Sequence, residues 1–359
     1  MTHLVLAGAG HAQVEALRQF ARRPRPGTRL TLVTREAFAP YSGMLPGLVV
    51  GLYGFADAHI DAAGLARAAG AEFVLDEVCG VDAAQKSVLR RGGPPISYDV
   101  LSLDTGARPD ASVPGAEQAI AVKPIDRFLE QFEAMAARLG GSSRVAVVGA
   151  GAGGVELMLA AERRLRGGSR SFVLVTGSRD ILPGFPASFR RRLRAILAAR
   201  GIEVLTASRV SSLDRASLQT ASGPVTADEV LWTTQAAAAS WVRESGLPVD
   251  GGGFLRVDGS LQVVGQPSVF AAGDMTDAAP KSGVYAVRAG PVLGHNLRAA
   301  LDGKALHWYR PQRRALYIVS TGERHGVATR NGVVLEGDWV WRVKNWLDRR
   351  FVARFNNLL

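Results

Sequence analysis

Cysteine is nearly absent from this sequence of 359 residues, which contains Cys79 and no other. A single cysteine excludes an intramolecular disulfide, a zinc site made of paired cysteines and a redox pair of thiols within the chain. Cys79 lies in the apolar stretch Glu77–Val81, where a buried structural thiol is expected more often than a reactive one. We therefore predict a chemistry that uses neither a cysteine pair nor a bound metal.

Long hydrophobic runs are also missing. The longest uncharged run, Ala37–Ala56, contains two prolines and four glycines, and this content argues against a membrane-spanning helix. The first apolar strand begins close to Met1, which leaves no room for a signal peptide. We expect a cytoplasmic protein, or one attached peripherally to the inner face of the cell membrane.

Acidic residues are fewer than basic ones, because 32 Asp and Glu stand against 43 Lys and Arg, for a net charge of +11. Such an excess indicates an anionic partner, such as a nucleotide or a membrane surface. The arginine clusters fall mostly on predicted helices, where a solvated face is the simplest explanation. No nucleic-acid recognition motif is present, so we do not expect a nucleic-acid partner.

Glycine, in contrast, is abundant, and two glycines form a motif near the start of the chain. A short apolar strand ends in Gly8-Ala9-Gly10, and a helical pattern of apolar residues follows. The backbone N–H groups at the start of such a helix bind a dinucleotide pyrophosphate. The motif is imperfect, because Gln13 stands where the third glycine of G-x-G-x-x-G is expected.

A second copy of the motif is complete, with a strand before it and a helix after it; its glycines are Gly149, Gly151 and Gly154. Two copies predict two nucleotide-binding units. The acid that usually ends the second strand of each unit is replaced by Thr34 in the first and Thr176 in the second. Because Arg179 follows Thr176 closely, NADPH is as plausible a ligand as NADH.

A third motif, Ala272-Gly273-Asp274, ends a later apolar strand and places a carboxylate where it can accept a hydrogen bond from a polyol hydroxyl. These patterns predict an α/β fold with two Rossmann-like, three-layer domains, the second inserted into the first. A small C-terminal α+β segment is expected to follow them.

The chain ends in a basic segment with three tryptophans, in which apolar residues recur at helical spacing at 339/340, 343, 346/347, 351 and 355. A basic amphipathic helix of this kind fits an interfacial membrane anchor. It fits a helix packed on the core, or a homodimer contact, equally well.

The three glycine motifs resemble those of the pyridine nucleotide-disulfide oxidoreductase superfamily of two-domain flavoproteins. Within it, Tyr41–Gly47 and Lys281–Arg288 resemble a group of NADH dehydrogenase-like oxidoreductases found fused N-terminally to selenophosphate synthetase (selenide, water dikinase). Type II NADH dehydrogenases and sulfide:quinone oxidoreductases are related to that group. Any link to selenium metabolism is by association.

The resemblance implies an FAD-binding domain over 1–108 and 245–304, an NAD(P)-binding domain over 109–244, and a C-terminal segment over 305–359. It assigns to FAD the residues Gly8, Gly10, His11, Ala12, Thr34, Arg35, Ser42, Val78, Thr105, Gly106, Gly273, Asp274, Ser282, Gly283 and Val284. It assigns to NADH or NADPH the residues Gly149, Gly151, Gly154 and Thr176.

Two catalytic residues are implied as well. Glu156 is expected near the nicotinamide, and Lys281 near the flavin, where it would stabilise charge on the reduced ring; a plain surface lysine is the alternative for Lys281. Without redox cysteines, electrons are expected to pass from NAD(P)H to FAD and directly on to an acceptor, with a quinone favoured. The alternatives are a small soluble selenium or sulfur acceptor, and a non-catalytic flavoprotein that acts as a redox sensor or interaction partner.

Overall fold

The computed structural model describes residues 1–215, 217–312 and 314–358. Its helices are α1 (His11–Arg22), α2 (Leu45–Val49), α3 (Phe55–Ala58), α4 (Ala62–Ala68), α5 (Ile125–Arg138), α6 (Ala152–Leu165), α7 (Ala187–Ala199), α8 (Ser240–Glu244), α9 (Gly283–Leu301) and α10 (Asp338–Asn356). Short 3₁₀ turns occupy Ser42–Met44, Ala116–Gln118 and Gly273–Met275.

The strands of the first half of the chain are β1 (Thr2–Ala7), β2 (Thr28–Thr34), β3 (Phe38–Pro40), β4 (His59–Asp61), β5 (Glu72–Leu75), β6 (Val78–Asp82), β7 (Ser87–Arg90), β8 (Gly93–Ser97), β9 (Val100–Leu103), β10 (Arg108–Pro109), β11 (Ile120–Ala121), β12 (Arg144–Val148) and β13 (Ser171–Val175). Those of the second half are β14 (Glu203–Leu205), β15 (Val210–Asp214), β16 (Ser217–Thr220), β17 (Gly223–Thr226), β18 (Glu229–Trp232), β19 (Ala236–Ala237), β20 (Gln262–Val263), β21 (Gln266–Ala271), β22 (Tyr317–Glu323), β23 (His325–Arg330) and β24 (Val333–Gly337).

The first sheet has the strand order β20-β21-β9-β1-β2-β5, with parallel pairing except between β20 and β21. Its central strand β1 is almost wholly buried, as expected for a parallel strand covered on both faces. Helices α1 and α9 pack together beside it. A Cβ added to Gly290 would lie 2.7 Å from Cβ of Glu15, so the missing side chain on α9 allows this close approach.

The second sheet, β11-β18-β12-β13-β14, is entirely parallel. The chain enters this unit after β10 and leaves it through β19, and these two strands pair with each other in antiparallel fashion. It then returns to the first sheet with β20 and β21. The predicted α/β fold with one Rossmann-like unit inserted into another is confirmed.

Three antiparallel additions complete the structure. The hairpin sheet β6-β7-β8 belongs to the first unit, and Cys79 lies half-buried in its first strand, less buried than expected. The sheet β15-β16-β17 belongs to the second unit. The sheet β22-β23-β24 precedes α10 and packs on α6.

The C-terminal helix α10 lies across both the last sheet and the first unit. At its end, the Asn356 side chain accepts a hydrogen bond from Asp61 N–H (3.0 Å) and donates one to the carbonyl of His59 (2.9 Å). Val352 and Phe355 on the same face are fully buried in the core of the first unit. The helix is therefore fixed to the domain that carries the first glycine motif.

Candidate functional site

A long cleft opens at the carboxyl ends of β1, β2 and β9, the edge where parallel sheets bind ligands. It encloses about 1230 Å³, its open mouth included. The cleft is lined by many of the residues predicted to bind FAD, namely Gly8, Gly10, His11, Thr34, Arg35, Ser42, Val78, Thr105, Gly106, Asp274 and Gly283.

The remaining predicted FAD residues lie beside this cleft. Gly273 and Ser282 line a smaller neighbouring cavity, which shares Asp274 with the cleft. Ala12 is fully buried in the first turn of α1, and Val284 is half-buried in the first turn of α9. The structure thus brings the first and third glycine motifs of the sequence to one place.

Asp104, which the sequence analysis did not single out, lies where these motifs meet. Its Oδ2 accepts hydrogen bonds from the backbone N–H groups of Ala12 (3.0 Å) and Gln13 (3.1 Å) at the start of α1. A Cβ on Gly10 would lie 2.2 Å from Cγ of Asp104, and one on Gly273 would lie 2.3 Å from its Oδ1. The Asp104 carboxylate therefore fits here only because positions 10 and 273 carry no Cβ.

The charge of Asp104 is costly at this position. Burial raises the pKa of the Asp104 carboxyl to about 7; the hydrogen bonds from Gln13 and Ala12 oppose the shift, and nearby Asp274 adds to it. The helix start partly offsets the cost, because N–H groups and the positive end of the helix dipole favour an anion there.

Gln13 explains how the first motif works without its third glycine. Its Nε2 donates to the carbonyl of Gly8 (2.8 Å), and its Oε1 accepts from the hydroxyl of Ser102 (2.5 Å). In the second motif the equivalent Gly154 lies so close to Gly149 that an added Cβ would be 1.8 Å from the Gly149 carbonyl oxygen. The glutamine amide replaces that direct packing by a hydrogen bond.

A lysine that was not predicted also faces the cleft. Lys123 lies between β11 and α5, in the inserted unit, and its Nζ is 2.8 Å from Oδ2 of Asp274. The ion pair links the two units across the cleft. Its partners are 151 positions apart, and no local pattern around Lys123 marks it.

Lys281, predicted as a catalytic residue, does not line the main cleft. Its Nζ donates to the carbonyl of Thr276 and lies 3.8 Å from the centre of the Phe254 ring. Burial lowers the pKa of the Lys281 ammonium, and the negative charges of Asp250 and Asp274 oppose that shift.

Glu156, the other predicted catalytic residue, is half-buried on α6. Its Oε1 accepts from the backbone N–H of Ser320 (2.8 Å). Burial raises the pKa of the Glu156 carboxyl to about 7, and the charge of Lys344 opposes the shift. Glu156 therefore packs against the C-terminal segment.

Lys344 on α10 carries its positive charge near Glu156 and contacts the segment next to Ser42, which lines the cleft. Its Nζ contacts Oδ2 of Asp348 (2.7 Å) and the carbonyl of Gly43 (2.6 Å). Burial and the nearby charge of Asp348 raise the pKa of the Tyr41 hydroxyl. We call Tyr41, Glu156, Lys344 and Asp348 the buried charge cluster.

The ring of Tyr41 joins the buried charge cluster to the cleft, because its centre is 5.2 Å from that of His11. Burial lowers the pKa of the His11 imidazole to about 4, with Asp274 opposing and Lys123 reinforcing the shift. His11 is therefore neutral at physiological pH.

The second glycine motif keeps the form that its sequence predicts. Gly149 has a positive φ of 109°, and the Thr233 hydroxyl hydrogen-bonds the carbonyls of Val148 (2.9 Å) and Gly149 (3.1 Å). A Cβ on Gly151 would meet no atom within 4 Å, so the space in front of this glycine is open. Thr176 directly follows β13 and is nearly buried.

The cleft fits an extended dinucleotide. At one end its lining includes Thr34 at the end of β2, Glu36 just after it and Val78 at the start of β6. From there the lining continues past the first glycine turn to Asp274 and the start of α9. Hydroxyl and carboxylate acceptors for ribose lie at one end, and Asp274 lies at the other. Gly106 leaves its side of the cleft open, since an added Cβ would meet nothing within 4 Å.

The chain belongs to the pyridine nucleotide-disulphide oxidoreductase family, whose sequence profile matches residues 2–290. It is 24% identical over 353 residues to the NADH dehydrogenase-like protein YutJ of Bacillus subtilis, covering 97% of this chain and 96% of that protein. It is 29% identical over 233 residues to the demethylphylloquinone reductase NdbB of a Synechocystis strain, covering 60% of this chain and 56% of that one.

Solved structures share the fold at low sequence identity. The sulfide:quinone oxidoreductase of Aquifex aeolicus superposes with a TM-score of 0.81 at 17% identity, over 99% of this chain and 92% of that one. NDH2 of Plasmodium falciparum, solved with NADH, superposes with a TM-score of 0.81 at 15% identity, over 99% of this chain and 98% of that one.

These similarities confirm the expected superfamily, an enzyme of the NAD(P)H oxidoreductase type, and the cofactor class. FAD is typical of the family, and structural neighbours were solved with NADH or with NADPH bound. The names of the relatives described above do not mention selenophosphate synthetase, so that narrower resemblance stays a prediction. Within the described residues, no helix combines the length and apolar character needed to cross a membrane.

The raised pKa of Asp104 predicts how stability depends on pH. A carboxyl whose folded-state pKa is about 7 stabilises the fold fully at acidic pH, and that contribution is lost as the pH rises through 7. We expect the free energy of unfolding of the wild type to fall between pH 5 and pH 7 by about 2 kcal/mol more than that of Asp104→Asn. Denaturant unfolding at matched cofactor content measures this.

Asp214→Asn, at an exposed position on β15, is the control and should keep the wild-type slope. Parallel slopes for the wild type and Asp104→Asn would contradict the assigned titration.

Proposed function

We propose that this flavin oxidoreductase passes two electrons from NADH or NADPH to a quinone. When bound, FAD accepts hydride from the nicotinamide nucleotide and returns two electrons to the acceptor. The observation that carries the proposal is the combination of an FAD-type cleft, a half-buried acid, Glu156, and a helix, α10, whose outer face exposes apolar side chains. Relatives named as quinone reductases, such as NdbB, support the choice of acceptor.

The residues of the cleft position the cofactor. The turn Gly8–Gly10 and the start of α1 would hold the pyrophosphate of FAD, and Asp274 would accept a hydrogen bond from a ribityl hydroxyl. Lys123 holds Asp274 in place by their 2.8 Å ion pair. Lys281 was expected to stabilise charge on the reduced flavin ring. We assign that role to Lys123, because Lys123 lines the cleft.

Reduction of a quinone to a quinol by NAD(P)H consumes one proton besides the hydride. With a carboxyl pKa of about 7, Glu156 can hold that proton at neutral pH and release it. Lys344, whose pKa is raised by Glu156 and Asp348, stays protonated beside it. We infer that Glu156 relays the proton, with the buried charge cluster as its link to the cleft.

The outer face of α10 suits a lipid surface. Trp339 and Trp346 are 51% and 57% exposed, and Val343 and Leu347 on the same helix are exposed as well. Arg342 and Arg350 flank this apolar face, and the guanidinium of Arg350 lies over the Trp346 ring at 5.1 Å. We propose peripheral binding to an anionic membrane, which would also bring a lipid-soluble quinone to the protein.

The acceptor can be tested with protein reduced anaerobically by a slight excess of NAD(P)H. We expect ubiquinone or menaquinone analogues to reoxidise the flavin at least tenfold faster than selenite, selenocystine or oxidised glutathione. Flavin absorbance after rapid mixing measures each rate. Faster reoxidation by a selenium or sulfur compound would replace the quinone, and no reduction by either nucleotide would remove the enzymatic role.

The proton-relay proposal predicts an acceptor-dependent defect. Glu156→Gln keeps the shape of the side chain but carries no titratable proton, so quinone reduction should fall at least tenfold. Ferricyanide takes up electrons without protons, so its reduction should stay within about twofold of wild type. Glu133→Gln, an exposed glutamate on α5, is the control. Equal loss with both acceptors would mean that Glu156 acts on folding or cofactor binding instead.

Membrane contact predicts a loss of vesicle binding in Trp339→Ala/Trp346→Ala. The double variant should lose at least tenfold in affinity for vesicles with anionic lipids but keep its activity with a water-soluble quinone. Trp308→Ala, a 72% exposed tryptophan away from α10, should bind like the wild type. If the double variant instead abolishes a concentration-dependent dimer and vesicles bind neither protein, α10 is a homodimer contact.

A further inference from the structure

The second glycine motif faces a surface edge whose charge differs from the usual NADH site. In that site a carboxylate at the end of the second strand accepts a hydrogen bond from the ribose 2′-hydroxyl. Here Thr176 follows β13, and its hydroxyl oxygen accepts from the backbone N–H of Ser178 (3.2 Å). The position therefore presents a small neutral group that is engaged within its own turn.

Asp180, the acidic residue nearest to Thr176 in the sequence, is neutralised by two arginines. Asp180 Oδ1 is 2.6 Å from Nε of Arg194, and its Oδ2 is 3.5 Å from Nε of Arg190, both on α7. The same Oδ1 accepts from the backbone N–H of Ile181 (2.8 Å). Asp180 thus fixes the start of the following segment and leaves no free negative charge for the turn.

Two arginines lie beside this turn from different parts of the chain. Arg179 belongs to the turn itself, and Arg209 comes from the connection between β14 and β15. A Cβ on Gly177 would lie only 3.0 Å from Cβ of Arg209, so the absence of a side chain there lets Arg209 pack against the turn. The Ala207 N–H donates to the Ser178 carbonyl (2.7 Å) and joins the two segments.

Both guanidinium groups remain available. Arg179 and Arg209 are exposed, and neither forms an ion pair with a carboxylate in the part of the chain that the structure describes. Arginine binds phosphate through paired, charge-assisted hydrogen bonds, and a serine hydroxyl such as that of Ser178 adds a further donor. A phosphate dianion complements this edge, whereas a bare ribose hydroxyl finds no carboxylate acceptor there.

We propose that Arg179, Arg209 and Ser178 bind the 2′-phosphate of NADPH and make this protein select NADPH over NADH. The inference rests on the proposed use of NAD(P)H by the second unit and names which nucleotide that unit takes. Thr176 contributes because its side chain is neutral, whereas a carboxylate at this position would repel the phosphate.

The test uses the FAD-loaded protein and two readouts. Calorimetric titration with 2′,5′-ADP and with 5′-AMP measures recognition of the 2′-phosphate without any turnover. We expect 2′,5′-ADP to bind at least tenfold more tightly, with an advantage that shrinks as salt concentration rises. Rapid-mixing reduction of the flavin should likewise favour NADPH over NADH at subsaturating concentrations.

Arg179→Gln/Arg209→Gln should lose most of the advantage of 2′,5′-ADP and of NADPH, while the rate with NADH stays within about twofold of wild type. Arg191→Gln, an exposed arginine on α7, is the matched control and should retain both preferences. Preference of the wild type for NADH, or equal losses for both nucleotides in the double variant, would overturn the inference. Reduction by neither nucleotide would instead refute the proposed function, with 2′,5′-ADP binding still deciding the phosphate site.

Discussion

One buried carboxylate, Asp104, determines how the FAD-type cleft is built. It accepts two backbone N–H groups at the start of α1, and it occupies the space that side chains on Gly10 and Gly273 would need. Hydrogen bonds to a charged group contribute about 1.5–3 kcal/mol each, which offsets part of the cost of burying the carboxylate. Three segments distant in sequence are thereby fixed against one side chain.

The same group sets the electrostatics of the cleft. A diphosphate placed beside an ionised Asp104 would be repelled, and a carboxyl pKa of about 7 means that the neutral form is accessible at physiological pH. Lys123 supplies the opposing positive charge and pairs with Asp274. His11, with its depressed pKa, adds no charge beside Asp104, Asp274 and Lys123.

Local patterns predicted the fold because glycine turns, apolar strands and strand-end acids are encoded by neighbouring residues, whereas most of the residues expected in the cleft followed from the family resemblance. Asp104 and Lys123 were missed, since their partners lie 92 and 151 positions away and no local rule connects them. Gln13 made the first motif imperfect in the sequence, and the structure gives the reason that it is tolerated, its hydrogen bond to the Gly8 carbonyl. Lys281 was expected near the flavin from the family resemblance; in the structure its ammonium donates to the Thr276 carbonyl and does not line the main cleft.

The C-terminal helix shows a different limit of sequence patterns. Its apolar positions were predicted as one stripe, with a core contact and a membrane anchor as alternatives. The structure divides the stripe, because Val340 and Phe355 are buried while Trp339, Val343 and Trp346 are exposed. Packing on the core and contact with a lipid surface are therefore compatible, since they use different sides of α10.

The most direct test of this account is the FAD dissociation constant of Asp104→Ala beside that of Asp104→Asn. The amide oxygen of asparagine can still accept from the Ala12 and Gln13 N–H groups, and it carries no charge to repel a diphosphate. The account predicts that Asp104→Asn binds FAD at least as tightly as the wild type at pH 8, and that Asp104→Ala binds at least tenfold more weakly. Wild-type affinity in Asp104→Ala would contradict the central role of this carboxylate.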